Sequence, residues 1–246
     1  MKLHAVLIAV SCACGSVYAA DYPAVLDWSG RVTLAMSVPG VFESVQVQPG
    51  QQVKKGQLLA ALNPTQYKAA VAEAKADVDR LVLEEADGKR DLDRVKELYA
   101  RTVSATTELD ASELRYSRAV ANLAMAQARL EKARRQLEES ELRAPFNARI
   151  LQRFVEPGAV AASLCQPSPV FSVAGADEFV ARATLQPAQA AQAKMGRKAE
   201  VLANGTTIGS EIRALSYQPD GKLQIEVAIP QRESLLPGQA VTIRLK

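Results

Sequence analysis

Histidine is almost missing from this chain. The only one among 246 residues is His4. It lies in a segment that reads as removable, so the mature chain offers no imidazole for base catalysis, metal ligation or a nucleophilic triad. Cysteine is nearly as scarce: Cys12 and Cys14 share that segment, and only Cys165 lies beyond it. A lone cysteine forms no intramolecular disulfide and no metal cluster, and reads as a small half-buried hydrophobe. Aromatic residues make up only 5% of the chain, which suits long helices and thin β-domains better than a thick core. The formal net charge is +3. No Lys/Arg cluster interleaved with aromatics occurs, so nucleic acid is not expected. Glycine-rich phosphate loops are absent. Met36, Met125 and Met195 stand far apart in sequence, which gives no support to a multi-methionine soft-metal site. No enzyme and no cofactor are expected.

Long hydrophobic runs are also missing, apart from a short one at the start. Lys2 is followed by apolar Ala5–Val10, then Val17-Tyr18-Ala19. That order reads as a secretory signal over 1–19, cleaved after Ala19. The run is far shorter than the roughly 18–20 residues needed to span a bilayer. A lipid anchor on Cys12 or Cys14 is not expected, because Ala9 and Ser11 stand where an apolar residue such as Leu is required. The mature protein is expected to be exported and soluble.

What the chain does contain is periodicity of two kinds. Arg31–Met36 and Val41–Val47 alternate with period two and are rich in valine, as strands are. Pro39-Gly40, Pro49-Gly50 and Gly56 read as turns around them and before Leu58–Leu62. Asn63-Pro64-Thr65 then reads as a helix start. Val71, Ala74, Val78, Leu81, Leu92, Val95 and Tyr99 fall on one 3–4 spaced seam, weakened at Glu85 and Gly88. Thr102–Thr107 interrupts the pattern, and a helix start is expected at Thr106 or Thr107. A second seam runs through Leu109, Tyr116, Val120, Leu123, Leu130 and Leu137, with Gln127 and Arg134 interrupting. Such spacing over about five heptads per arm predicts an antiparallel two-stranded coiled coil. At 1.5 Å per residue it should reach roughly 50–55 Å. Two separate helices of an ordinary bundle are the alternative. The carboxylates sit mostly on these arms at spacings that suit ion pairs with Lys and Arg. Glu84, Glu85, Lys89 and Arg90 read as a solvated face rather than a site.

Ala144-Pro145 ends the second arm, because the residue before proline is pushed out of the α region. Ile150–Val155 and Pro169–Val173 resume strands around Pro157-Gly158. From Glu178 to Lys246 the chain alternates again, with a short helix expected over Pro187–Met195. Asp220-Gly221 reads as a hairpin turn and Pro237-Gly238 as another turn. This last part reads as a small antiparallel barrel or sandwich.

VPGVFESVQVQPGQQVKKGQLLAAL (Val38–Leu62) and LRAPFNARILQRFVEPGAVAASL (Leu142–Leu164) resemble the two halves of the split lipoyl-like domain of periplasmic adaptor proteins of tripartite efflux pumps. GRKAEVLANG and ESLLPGQAVTIRL look like the β-barrel domain of that family. The resemblance implies an elongated α+β chain: a lipoyl-like β-sandwich split by a long coiled-coil α-hairpin, then a small antiparallel β-barrel. The expected division is a signal at 1–19, N-terminal strands at 20–37 contributing to the barrel or lipoyl region, half-domains at 38–62 and 143–174, a hairpin at 63–142 and a barrel at 175–246. Gly40, Gly50, Gly56, Pro145 and Gly158 are its expected lipoyl-like turn residues. Ala148 departs from the family, which usually has glycine there. The further membrane-proximal domain that many members carry after the barrel is not expected here.

The resemblance implies an adaptor without catalytic activity, in the periplasm and associated with the inner membrane. It would join an inner-membrane transporter, RND type first and ABC type second, to a TolC-type outer-membrane channel, as a trimer or hexamer. Channel docking would fall to the hairpin tip at Arg94, Leu98, Arg101 and Ser104. Ser104 stands one residue early against the family pattern. A lipoyl or biotinyl carrier is the competing class. Its modified lysine would have to be Lys54 or Lys55, but those lie in a preceding turn without the usual Met or Asp neighbours.

Overall fold

The computed structural model describes residues 21–161 and 168–246. The signal segment, with His4, Cys12 and Cys14, lies outside the described residues, as does Cys165. The chain divides into two units at Ser29/Gly30 and at Ala176/Asp177. The first strand, β1 (Asp21–Trp28), belongs to the unit that also holds Asp177–Lys246, whereas β2 (Val32–Ala35) belongs to the unit Gly30–Ala176. The expected N-terminal segment 20–37 is therefore shared between them. Gly30, with φ of 58°, sits at the turn where the chain changes unit.

The unit spanning Gly30–Ala176 contains two four-stranded sheets. The strands after β2 are β3 (Gly40–Val45), β4 (Gln52–Val53) and β5 (Leu58–Leu62), then, beyond two helices, β6 (Glu141–Arg143), β7 (Ala148–Arg153), β8 (Val160–Ala161) and β9 (Pro169–Gly175). One sheet has the order β2-β9-β7-β4 and the other β6-β5-β3-β8. Each sheet thus interleaves strands from before and after the helices. The shared core contains Phe42, Val53, Leu59 and Leu62 from the first half and Ile150, Phe171 and Val173 from the second. Burying these side chains is the dominant stabilisation of so thin a domain, at about 25 cal/mol per Å² of apolar surface.

Between β5 and β6 run α1 (Thr65–Ala100) and α2 (Thr106–Glu139), packed on each other. At 1.5 Å per residue the longer arm extends about 54 Å. Its start follows the sequence: Asn63 Oδ1 accepts the Thr65 amide at 3.0 Å, supplying one of the partners that a helix N-terminus lacks. The seam of α1 follows the heptad reading, with Leu81, Leu92 and Val95 buried. That of α2 follows it in part, with Leu130 buried and Tyr116, Leu123 and Leu137 half-buried. Its buried residues are Ser112, Ala119, Ala126, Leu130 and Ala133, whereas Val120 is 41% exposed. Small residues recur every seventh position of α2 and leave room for the bulky ones of α1. Hydrophobicity alone could not single out an alanine over a neighbouring valine. The second helix also ends at Glu139, three residues before the expected limit at 142. Glu141–Arg143 instead pairs with β5 as an antiparallel strand, because the second half of the sandwich needs that edge.

The unit made of Asp21–Ser29 and Asp177–Lys246 is a closed six-stranded barrel. Its strands are β1, β10 (Glu178–Leu185), β11 (Lys198–Ala203), β12 (Thr206–Tyr217), β13 (Leu223–Pro230) and β14 (Ala240–Leu245). They run in the order β1-β10-β13-β12-β11-β14, with β14 returning to β1. Closure leaves no open sheet edge. Alternate residues Leu223, Ile225, Val227 and Ile229 fill the interior with Leu26 and Phe179. Trp28 stacks at a tilt on Phe179, 5.1 Å between ring centres. The short helix α3 covers only Pro187–Ala190, so the expected extension to Met195 does not form. Turns follow it, up to Gly196 at φ 74°.

Candidate docking tip of the helical hairpin

The tip is anchored from below. Tyr67, in the first turn of α1, is only 8% exposed and belongs to the sandwich core. Its hydroxyl donates to the Pro39 carbonyl. At the other root, Ser140 closes α2: its hydroxyl donates to the Leu137 carbonyl at 2.6 Å. The Ser140 carbonyl accepts the Leu62 amide at 2.9 Å. Both helices are therefore fixed to one core at their roots.

Half-way up, the seam carries a polar layer. Glu85 occupies a core position of the heptad and accepts from the Tyr116 phenol, which holds that phenol protonated above its ordinary range. Gly88 faces the same place: a β-carbon there would lie 3.6 Å from Tyr116 Cα and 3.9 Å from Ala119 Cβ. The two weak points of the heptad pattern thus form one cross-helix contact. Nearer the tip, Asp91 accepts from Arg115 across the hairpin at 2.9 Å, and Lys96 reaches Glu113 at 3.5 Å. These pairs are exposed and each contributes little, but they set the pairing height of the two arms.

Arg94 hydrogen-bonds Asp91 on its own helix, and its side chain is 72% exposed. It lies about two turns below Arg101. Leu98, Arg101 and Ser104 come together at the apex itself. The Leu98 side chain is 36% exposed, while its carbonyl accepts the amides of Arg101 at 3.2 Å and Val103 at 3.0 Å. Arg101 is the C-cap residue. The Ser104 hydroxyl donates to the Glu108 carboxylate, at the helix end where a negative charge meets the positive dipole of α2.

The apex contains a feature that the sequence pattern did not single out. Thr102 has φ of 62°. Its amide donates to the Tyr99 carbonyl at 2.9 Å while that of Val103 reaches back to Leu98. This is the double closure of a Schellman motif, in which the left-handed residue is usually glycine. A β-branched residue there is strained. The turn leaves Val103 72% exposed and Tyr99 43% exposed. Arg94 and Ser104 have partners in the hairpin, and at the apex Val103 and Tyr99 stand exposed beside Arg101, Thr102 and Thr106.

The lipoyl-like turn residues separate into two kinds. Gly50, Gly56 and Gly158 have φ of 87°, 82° and 91° at tight turns, where glycine alone is unstrained. Pro145 lies in the bend between β6 and β7. Gly40 is not a turn residue. It is the first residue of β3, and a β-carbon there would lie 3.1 Å from Leu62 Cδ1, so it serves close packing. Ala148, where the family usually has glycine, is fully buried in β7. Lys54 and Lys55 occupy the turn between β4 and β5, and the Lys55 amide is held by Asn147 Oδ1 at 3.0 Å. The position where a carrier hairpin would lie is taken by the helices. Among the described residues, no helix is long and apolar enough to cross a membrane.

Comparison with known proteins gives a consistent picture. Residues 31–174 match the model of the CzcB-like, barrel-sandwich hybrid domain. The multidrug resistance protein MdtA of Cronobacter turicensis is 30% identical over 232 residues, covering 88% of this chain and 55% of that protein. The chain spans about half the length of that curated relative. The membrane fusion protein Spr0693 of Streptococcus pneumoniae R6 superimposes with a TM-score of 0.71 at 14% identity, over 92% of this chain and 98% of that one. A MacA-MexA chimera containing the Pseudomonas aeruginosa MexA α-hairpin domain gives 0.69 at 20% identity, over 92% of this chain and 80% of the other. At these identities the two structures speak for the fold alone.

Proposed function

The chain belongs to the CzcB-like barrel-sandwich hybrid domain family, and from that premise we propose that it is a non-enzymatic periplasmic adaptor of an efflux system. In this reading it is associated with the inner membrane and holds no cofactor. The barrel and sandwich seat on an inner-membrane transporter, and the hairpin carries the apex at 101–105 to a TolC-type outer-membrane channel. An RND transporter is the first reading and an ABC-type exporter the second. Genes adjacent to the coding gene discriminate between them.

The observation that carries the proposal is the way the hairpin joins the sandwich. It leaves at Leu62, returns at Ser140, and those two residues are hydrogen-bonded to each other. A rod rooted in this way presents a small tip at a fixed distance and direction from its base. That suits mechanical linkage and offers no machinery for bond-breaking. Apolar Leu98, Tyr99 and Val103 would supply the buried contact with helix ends of the channel, and Arg94 or Arg101 would hydrogen-bond carbonyls or carboxylates there.

Deleting Val95–Thr106 tests the reading. Export should be lost while the protein remains folded by circular dichroism; intact export would exclude the docking role. A lipoyl or biotinyl mass on Lys54 or Lys55 in the mature protein would instead establish the carrier alternative.

A further inference from the structure

One end of the barrel gathers Asp21, Lys246 and two connecting segments into a single rim. Strands β1, β11 and β13 start there and β10, β12 and β14 finish there, as the pairings Asp21↔Arg244, Ala199↔Leu245, Leu185↔Leu223 and Tyr217↔Leu223 require. The connection 186–197 and the hairpin turn 218–222 complete the rim. They meet at Gly221, where a β-carbon would lie 3.9 Å from Pro187 Cγ. Both passages of the chain into the other unit, at Ser29/Gly30 and Ala176/Asp177, leave from the opposite end of the barrel.

Two large apolar side chains stand out from this rim. Tyr217 is 76% and Met195 71% exposed, more than any other large hydrophobic residue of the barrel among those described. Met195 precedes β11 and Tyr217 ends β12, and these strands are neighbours. Positive charge surrounds them. Residues 186–198 hold Lys194, Arg197 and Lys198 and no acid. Three of the rim's carboxylates are already paired: Asp21 with Arg244, Asp220 with Lys222 and Glu200 with Lys246. The fourth, Glu211, stands opposite Lys198 in the β11–β12 register. The Arg197 guanidinium donates only to carbonyl oxygens, those of Gln192 and Lys246, and Lys194 has no ion-pair partner among the described residues. The rim thus carries six basic residues against four acidic ones.

We propose that this rim lies directly on the headgroups of an anionic bilayer. Lys194, Arg197 and Lys198 meet lipid phosphates, which attract clustered cations near the surface. Met195 and Tyr217 enter the interface, where a tyrosine keeps its hydroxyl wet and its ring among apolar groups. Two separate apolar side chains are too few for the buried core of a protein interface, whereas a membrane surface requires only such anchors and charge of the right sign. With residues 1–19 read as a secretory signal, that segment joins the barrel at Asp21, on this same rim, and holds it beside the bilayer until cleavage. The inference rests on the reading of the chain as a periplasmic protein associated with the inner membrane, and it names a surface through which lipid itself is contacted.

The test uses the mature chain, beginning at Ala20 so that the signal segment does not itself bind lipid. It is sedimented with vesicles of phosphatidylethanolamine and phosphatidylglycerol, or of phosphatidylcholine alone. Binding to the anionic vesicles is expected, weakening with salt, with little to phosphatidylcholine. Lys194→Gln combined with Lys198→Gln should weaken it about fivefold for each charge removed. Met195→Ser combined with Tyr217→Ser should weaken it while its salt dependence remains. Lys54→Gln combined with Lys55→Gln removes the same charge from an exposed turn of the other unit and should leave binding unchanged. Circular dichroism verifies folding of each variant. Equal binding to both kinds of vesicle, or equal weakening by the changes at Lys54 and Lys55, would overturn the proposal. So would a folded chain that ignores anionic vesicles, which would leave the rim to a protein partner. The variant lacking the hairpin tip, which tests the adaptor reading, should still bind vesicles, so failure of either reading is distinguishable from failure of the other.

Discussion

Leu62 donates its backbone amide to the carbonyl of Ser140 at 2.9 Å, although the entire helical hairpin separates them in sequence. The bond closes the sandwich beneath the rod and makes the two halves one domain. Replacing residues 64–139 with a short glycine-containing turn should therefore leave the sandwich folded. Hydrogen exchange checks this: the Leu62 amide should remain protected in the shortened protein. Rapid exchange at Leu62 would mean that the sandwich needs the helices to hold together.

A single core shared by both halves should also fail as one. Phe42, from the first half, is 2% exposed and Phe171, from the second, is fully buried. Truncating either to alanine should cost about 3–5 kcal/mol. In native-state exchange, each variant should lower protection in β3 and β9 together. Loss confined to the half that carries the substitution would contradict a common core.

Gly88 sits in the interior of a long helix, where glycine costs about 1 kcal/mol relative to alanine. The β-carbon of an alanine there would make ordinary contacts with Tyr116 and Ala119. Gly88→Ala should stabilise the hairpin by up to about 1 kcal/mol in urea denaturation, whereas Gly88→Leu should destabilise it by pushing the arms apart.

The strained apex gives the converse case. Thr102→Gly should relieve the positive φ and stabilise the protein by about 1 kcal/mol. Thr102→Val should not, because it retains the branching. Thermal denaturation of the two variants distinguishes conformational relief from loss of the threonine hydroxyl.

Much of this architecture was legible in the order of the residues. Turn glycines at 50, 56 and 158, the Asn63-Pro64 helix start and the 3–4 spacing of α1 are local signals, each tied to a backbone or packing requirement of its own. The second helix is less legible, since alanines at 119, 126 and 133 look like surface until their partners' bulk is known. For Asp21–Trp28 the sequence leaves the barrel and the lipoyl region both open, because its pairing partners lie at the far end of the chain. At the tip, Arg94 and Ser104 were visible as polar residues in a pattern, but their engagement by Asp91 and Glu108 depends on geometry. The strain at Thr102 leaves no trace in periodicity, since threonine gives no hint of a left-handed conformation.

Barrel closure has a charged clasp at its chain ends. Asp21 on β1 accepts from Arg244 on β14 at 2.7 and 2.8 Å, and this guanidinium lowers the Asp21 carboxyl below its ordinary range. A depressed carboxylate pKa stabilises the folded state above the unfolded value, and that contribution is lost as pH falls through the folded value. The melting temperature of Asp21→Asn should accordingly lie below that of the unaltered protein at neutral pH. The gap should close on acidification below the ordinary carboxylate range, and also narrow in high salt, since the pair is exposed. A gap independent of pH would assign the effect to packing instead.

The central claim is that the apex of the hairpin is the end that meets another protein. A photo-crosslinking amino acid at Val103 of the full chain, irradiated in cells with active export, measures this most directly. An adduct with an outer-membrane channel protein is predicted, with none from a probe at Lys68 near the root of the rod. Cells that export normally but yield no channel adduct from position 103 would contradict it.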